Sequence, residues 1–216
     1  MNAGILPVKE LSAAKQRLAA HFDEDGRAEI ARALLTDALQ LCKTTAGFLN
    51  WWVISSDREV LELATAYGCH GITDNAATLN QALAYAAQVV ANEGATSITI
   101  IPVDAPLTYA GDLQELVDTG ETSEMVVVPS AHDGGTNALF MQPPTLMEPR
   151  FGPQSLHAHM SLASRLGYRC SVLVLPRLGL DIDTIEDVDE FLSKDKVGNS
   201  TTAQVLRRLR GEEAPV

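Results

Sequence analysis

Two aspartates stand where buried strands should end. Asp104 follows the apolar run 97–103, SITIIPV, and Asp183 closes the extended segment LDID after the run 170–175, CSVLVL, with Asp181 two residues before it. In an α/β sheet, ligands bind outside the carboxyl ends of the strands. Carboxylates gathered there suit Mg2+, which takes a few of them together with phosphate oxygens and water. Each aspartate also has a structural use, Asp104 as a cap or turn residue before Pro106 and Asp183 as the N-cap of a helix starting near Ile185.

Three further stretches carry polar chemistry. Lys9, Lys15 and Arg17 come directly after the first apolar segment and could neutralise a triphosphate, or form a solvated basic loop. The stretch HDGGTNALF (132–140) places Gly134, Gly135, Thr136 and Asn137 between two apolar runs, longer than the two-residue turn of a tight hairpin. Glycine lets backbone N–H groups approach a ligand closely, while Thr and Asn add side-chain donors and acceptors. RFGPQS (150–155) sets a Gly-Pro turn before a helix whose first polar residue is Ser155, an arrangement that makes either an anion site or a plain cap. His157 and His159 lie in that helix, where packing or a role at the site are both open. A phosphate-binding GxxxxGK[ST] loop is absent, no GxGxxG follows a strand, and no nucleophile elbow supports a Ser-His-Asp hydrolase.

Positioning these residues requires alternating strands and helices. Apolar segments at 4–8, 51–55, 97–103, 125–129, 138–142 and 170–175 read as strands, with 138–142 the antiparallel partner of 125–129. Helical spacing covers 26–43, 57–68 capped by Ser56, 79–94 capped by Thr78, 110–118, 155–167 and 185–195. The tail from about 196 reads as a short helix with a flexible, fraying end. The pattern predicts one α/β domain over residues 1–216, a mixed, mostly parallel sheet with helices on both faces.

Composition bounds the partners. Of 216 residues, 46% are hydrophobic and 20% charged, an ordinary globular balance, and the net charge is −12. Such acidity argues against nucleic acid but permits a nucleotide in a locally basic pocket. Cys42, Cys69 and Cys170 form no CxxC, no secretory segment or membrane-length apolar run is visible, and a reducing cytoplasm is expected.

In order and spacing, PVKELSAAKQRLA, SSD, LNQAL, IIPVDAPL, GGTNALF, RFGPQS with His159, and LDIDTIEDV resemble the guanylyltransferases of deazaflavin-coenzyme F-420 biosynthesis. The likeness runs from about residue 4 to about 192. Ile185 stands where the family usually has Pro, and Ala105 where a larger apolar residue is common. The resemblance implies a GT-A-like, Rossmann-like nucleotidyltransferase fold. It implies that GTP reacts with a small phosphorylated three-carbon acid (phosphoenolpyruvate, 2-phospho-L-lactate or 3-phosphoglycerate) to release pyrophosphate. Asp104 and Asp183 would bind Mg2+ and, with Lys15, carry catalysis. Thr136, Asn137, Gly152 and Ser155 would hold the acid. Lys9, Lys15, Arg17, Ser55 and Asn80 would line the nucleotide. No nucleic acid or membrane partner is expected, and a homodimer is compatible with the family. The alternatives are a related nucleotidyltransferase with another nucleotide or acceptor, such as a sugar phosphate or a molybdopterin-type cofactor, and a non-catalytic nucleotide-binding module.

Overall fold

The computed structural model describes residues 1–11, 14–132, 134–195 and 200–212. Apolar runs without polar interruption become strands buried on both faces. In β1 (Asn2–Pro7), β2 (Asn50–Ser55), β5 (Met125–Pro129) and β6 (Thr136–Met141), alternate side chains enter two separate clusters. Leu6, Trp51, Val53, Val126, Val128 and Phe140 face one layer, while Ile5, Trp52, Ile54, Met125, Val127 and Leu139 face the other. The first layer is closed by α1 (Glu24–Thr45), α2 (Arg58–Ala66) and α4 (Ala110–Gly120), the second by α3 (Leu79–Asn92) and α5 (Ser155–Leu166).

With β3 (His70–Thr73), β4 (Ser97–Ile100) and β7 (Cys170–Val172), the strands form one seven-stranded sheet of order β3-β2-β1-β4-β6-β5-β7. β3, β2, β1 and β4 run parallel, β6 is antiparallel to β4 and β5, and β7 is parallel to β5. The connections leave β1 towards β2 on one side and reach β4 on the other. The crevice between the carboxyl ends of β1 and β4 is therefore a switch point of the kind that binds ligands. Because β6 is reversed, it begins with Thr136 at that same edge.

Several boundaries differ from the sequence expectation. β4 ends at Ile100 rather than 103, because Pro102 has no N–H to continue the ladder. β7 stops at Val172 rather than 175; it is the last strand of the sheet, and Val174 is exposed. β3 has no counterpart in the expected elements, for it is four residues long and buries Ile72 alone. The cap of α2 is Asp57, whose carboxylate accepts the Glu59 N–H at 2.9 Å, not Ser56.

The tail does not fray along its helix. α7 (Thr201–Arg210) buries Ala203 and Leu206 against α1 and α6 (Ile185–Lys194) in a third cluster. Its first two N–H groups donate to the Asp37 carboxylate at 2.9 and 2.8 Å. That cluster includes Leu180 and Ile182, so α7 backs the segment bearing Asp181 and Asp183. Of the tail expected from about 196, residues 196–199 and 213–216 lie outside the described residues.

Candidate active site

The segment Leu180-Asp181-Ile182-Asp183 is extended, and its side chains alternate. Leu180 and Ile182 are buried in the third cluster, which leaves Asp181 and Asp183 on the opposite side, facing the edge of the sheet. The Ile182 N–H donates to the Asp104 carbonyl at 2.9 Å and fastens this segment to the turn after β4. Asp183 is not the cap of α6. Thr184 is, in a capping box with Asp187, whose carboxylate also accepts the Asp183 N–H at 3.0 Å. The Asp183 side chain is thereby released from capping.

Lys15 fills the space between Asp104 and Asp183. Its Nζ donates to Asp104 Oδ2 at 2.7 Å, to the Ile182 carbonyl at 2.6 Å and to Asp183 Oδ1 at 3.2 Å. Only 7% of the side chain is exposed. Burial by itself would lower the Lys15 pKa, but attraction to Asp104 and Asp183 outweighs it and holds the ammonium above its ordinary value. Arg17 adds a second cation, 3.3 Å from Asp183 Oδ2 and largely in solvent.

Asp181 extends the acidic group towards β6. Burial raises its pKa, the hydrogen bond from Asn137 opposes that, and the charges of Asp104 and Asp183 raise it further. Asn137 Nδ2 lies 3.1 Å from Asp181 Oδ1 and 3.1 Å from the Leu178 carbonyl. Asn137 therefore joins the start of β6 to the aspartate segment.

The fit to a divalent cation follows from this geometry. Asp104 and Asp183 converge on one cationic centre, and Asp104 keeps its second oxygen unengaged among the described residues. No group of three or more His, Cys, Asp or Glu side chains suited to a metal gathers among the described residues. Two carboxylates, with phosphate oxygens and water completing the shell, match Mg2+ rather than a metal held wholly by protein.

Beside this group lies the start of α5. Gly134, with φ +69°, lends its carbonyl to the Leu156 N–H at 3.3 Å, and Gly135 accepts the Ser130 N–H at 3.1 Å. The Gly-Gly-Thr-Asn stretch thus seats the first turn of α5 against β6. Thr136 is nearly buried, 3.0 Å from His159 Nδ1. Gly152 has φ +132°, a conformation that a side chain would strain, and Ser155 opens the helix. The two non-glycine residues with positive φ among those described, Lys15 (55°) and Gln154 (58°), both belong to this edge.

Lys15, Arg17, Asp104 and Asp183 are therefore brought into direct contact, Asn137 reaches the neighbouring Asp181, and Thr136, Gly152 and Ser155 gather around the start of α5. Lys9 follows β1 at the same edge and is exposed. Ser55 is fully buried, and its hydroxyl accepts the Asp57 N–H at 3.1 Å. The Asn80 amide is spent on the Phe151 backbone, accepting its N–H at 2.8 Å and donating to its carbonyl at 3.0 Å. Sequence reasoning did not single out Asp187, although the Thr184-x-x-Asp187 spacing is a capping-box signal. A separate cleft of about 420 Å3 lies between Asn50, Trp52, His70 and Glu93, at the amino edge of the sheet, and contains none of these residues.

Comparison with known proteins identifies the family and the fold. The family model described as guanylyl transferase CofC like matches residues 2–214. A phosphoenolpyruvate guanylyltransferase of Roseiflexus castenholzii is 39% identical over 85% of this chain and 84% of its own length. Enzymes of the same name from Rubrobacter xylanophilus and Conexibacter woesei are 35% and 31% identical, over 85% and 95% of this chain and 90% and 95% of theirs. Among solved structures, a protein described as a nucleotide-diphospho-sugar transferase from Desulfovibrio desulfuricans superposes with a TM-score of 0.80 at 16% identity, covering 99% of this chain and 98% of its own. A Mycobacterium tuberculosis protein solved with manganese superposes at 0.54 and 20% identity, over 89% of this chain and 98% of its own.

Proposed function

The chain belongs to the CofC-like guanylyl transferase family, and from that premise we propose that it transfers GMP from GTP to the phosphate of phosphoenolpyruvate, releasing pyrophosphate. The observation that carries this reading is the convergence of Asp104 and Asp183 on Lys15 at the β1–β4 edge. The choice of phosphoenolpyruvate rests on the names of the relatives. The product would serve deazaflavin-coenzyme assembly.

The chemistry needs little from the protein beyond position and charge. An ionised oxygen of the acid's phosphate attacks the α-phosphorus of GTP. The bond from that phosphorus to the β-phosphate bridge breaks, and pyrophosphate leaves with the electron pair. No proton is moved, so no general base is required.

Lys15 supplies a fixed positive charge where negative charge builds up, and Arg17 and Lys9 extend it towards solvent. Thr136, the Gly152 turn and Ser155 hold the acid, with the amino end of α5 favouring its negative charge. Asn137 keeps Asp181 and β6 in register with the aspartates. Mg2+, bound at Asp104 and Asp183, would neutralise phosphate charge, a reading supported by a manganese complex of the same fold.

The test is pyrophosphate release with GTP, Mg2+ and each of phosphoenolpyruvate, 2-phospho-L-lactate and 3-phosphoglycerate, with ATP as control. Release with phosphoenolpyruvate and GTP, lost in Asp183→Asn, is the expected result. Release with ATP alone, or with none of the three acids, would overturn it.

A further inference from the structure

His159 is fully buried in α5, and hydrogen bonds reach both of its ring nitrogens. The Arg150 backbone N–H donates to Nε2 at 2.9 Å. A ring nitrogen that accepts a hydrogen bond carries no proton, so the imidazole is neutral with its hydrogen on Nδ1. Nδ1 lies 3.0 Å from Thr136 Oγ1. The ring must be the donor there and the threonine oxygen the acceptor. The hydroxyl proton of Thr136 then points away from the ring, meets no acceptor among the described residues, and can donate to a ligand.

The same ring holds the turn before α5. Arg150 is anchored by His159, and the Phe151 ring meets the imidazole edge-on at 5.2 Å. Asn80, on the opening turn of α3, grips both polar groups of the Phe151 backbone. Two successive residues are thus pinned from two helices, immediately before Gly152 and Ser155. Left-handed Gln154 gives this turn a strained conformation that needs outside support.

We infer that His159 and Asn80 are positioning residues for the acid: they fix the Arg150–Ser155 turn, and His159 sets Thr136 as a hydrogen-bond donor. This rests on the proposal that Thr136, Gly152 and Ser155 hold the phospho-acid. Burial, with the Arg150 guanidinium adding to it and the Ser155 carbonyl opposing it, lowers the His159 pKa to about 4, so the neutral ring persists at working pH.

The test has two arms. Nitrogen-15 NMR of the wild-type imidazole should show Nδ1 protonated and Nε2 bare at neutral pH, a result independent of any substrate. In kinetics, His159→Phe and Thr136→Val should each raise KM for the acid about tenfold, with KM for GTP little changed. In the double variant the losses should be less than additive, since both changes remove the Thr136–His159 hydrogen bond while only His159→Phe removes the Arg150 anchor. His159→Asn, which keeps a donor near Nδ1, should recover part of the loss. A proton on Nε2, an unchanged KM for the acid in folded His159→Phe, or additive losses would overturn the inference. If His159→Phe fails to fold, Asn80→Ala takes its place, and the same selective rise in KM is required. Wild-type protein with the expected tautomer but no transfer to any acid would overturn the functional reading while upholding the hydrogen-bond arrangement.

Discussion

Lys15 is held by three oxygens, from Asp104, Ile182 and Asp183, in a place where water hardly reaches. Replacing it by Met removes a charge aimed at the transferring phosphate and leaves two carboxylates facing each other. Lys15→Met is expected to lower kcat about a hundredfold or more, measured by pyrophosphate release in a protein that still folds. Its pKa is raised, so its stabilising contribution is complete below about 10.5 and is lost only as pH rises through the higher folded value. His159 works in the other direction. Its pKa falls from 6.5 to about 4 on folding, so the unfolded chain binds a proton that the folded one refuses. The contribution of His159 is level above pH 6.5, and stability falls as pH drops from 6.5 to 4, by roughly 3 kcal/mol from this residue. Thermal melts of His159→Gln should lack that part of the acid slope. At this scale Asp104 and Asp183 could be singled out from the sequence because each follows an apolar run, although the strands themselves stop short of them. The sequence did not disclose that Ser55 and Asn80 spend their side chains on backbone groups, or that Arg150 fixes a tautomer, since those contacts join residues far apart in the chain.

The elements carry these residues to one edge, and a few caps decide how firmly. Asp187 accepts from the Asp183 N–H, the Thr184 N–H and the Thr184 hydroxyl, so the start of α6 and the candidate metal ligand share one anchor. Thr184→Ala should cost about 1 kcal/mol, seen as a fall in Tm of about 2–4 °C, with a weaker response of activity to Mg2+ as Asp183 loosens. A Tm fall with unaltered Mg2+ dependence would separate the cap from the site. The long helices and the buried strands of the sheet centre were legible because their periodicity is strong. β3 was not, since one buried residue in four gives no pattern. The ends of β4 and β7 were misjudged because apolar residues run past the last ladder hydrogen bond into the turns that bear the site.

Over the whole molecule, α7 completes the core under the aspartates without touching them. It covers Leu180 and Ile182 together with α1 and α6, and Arg208 and Arg210 tie it to Glu29 and Asp189. Truncation before Ser200 should therefore lower Tm and reduce activity together, although no proposed ligand is removed; unchanged activity would show that the Asp181–Asp183 segment holds its shape unaided. The α/β architecture and its ligand edge could be read from the alternation of strands and helices, whereas the packing of α7 could not, because its few apolar residues look like a fraying end. The central claim, that this edge joins GMP to an acid through the acid's own phosphate, is tested most directly by supplying phosphoenolpyruvate with oxygen-18 in its phosphate group together with GTP and Mg2+. Mass spectrometry should find a guanosine diphospho-acid retaining the label and unlabelled pyrophosphate. Label in the pyrophosphate, or GTP consumed with no acid-bearing product, would contradict it.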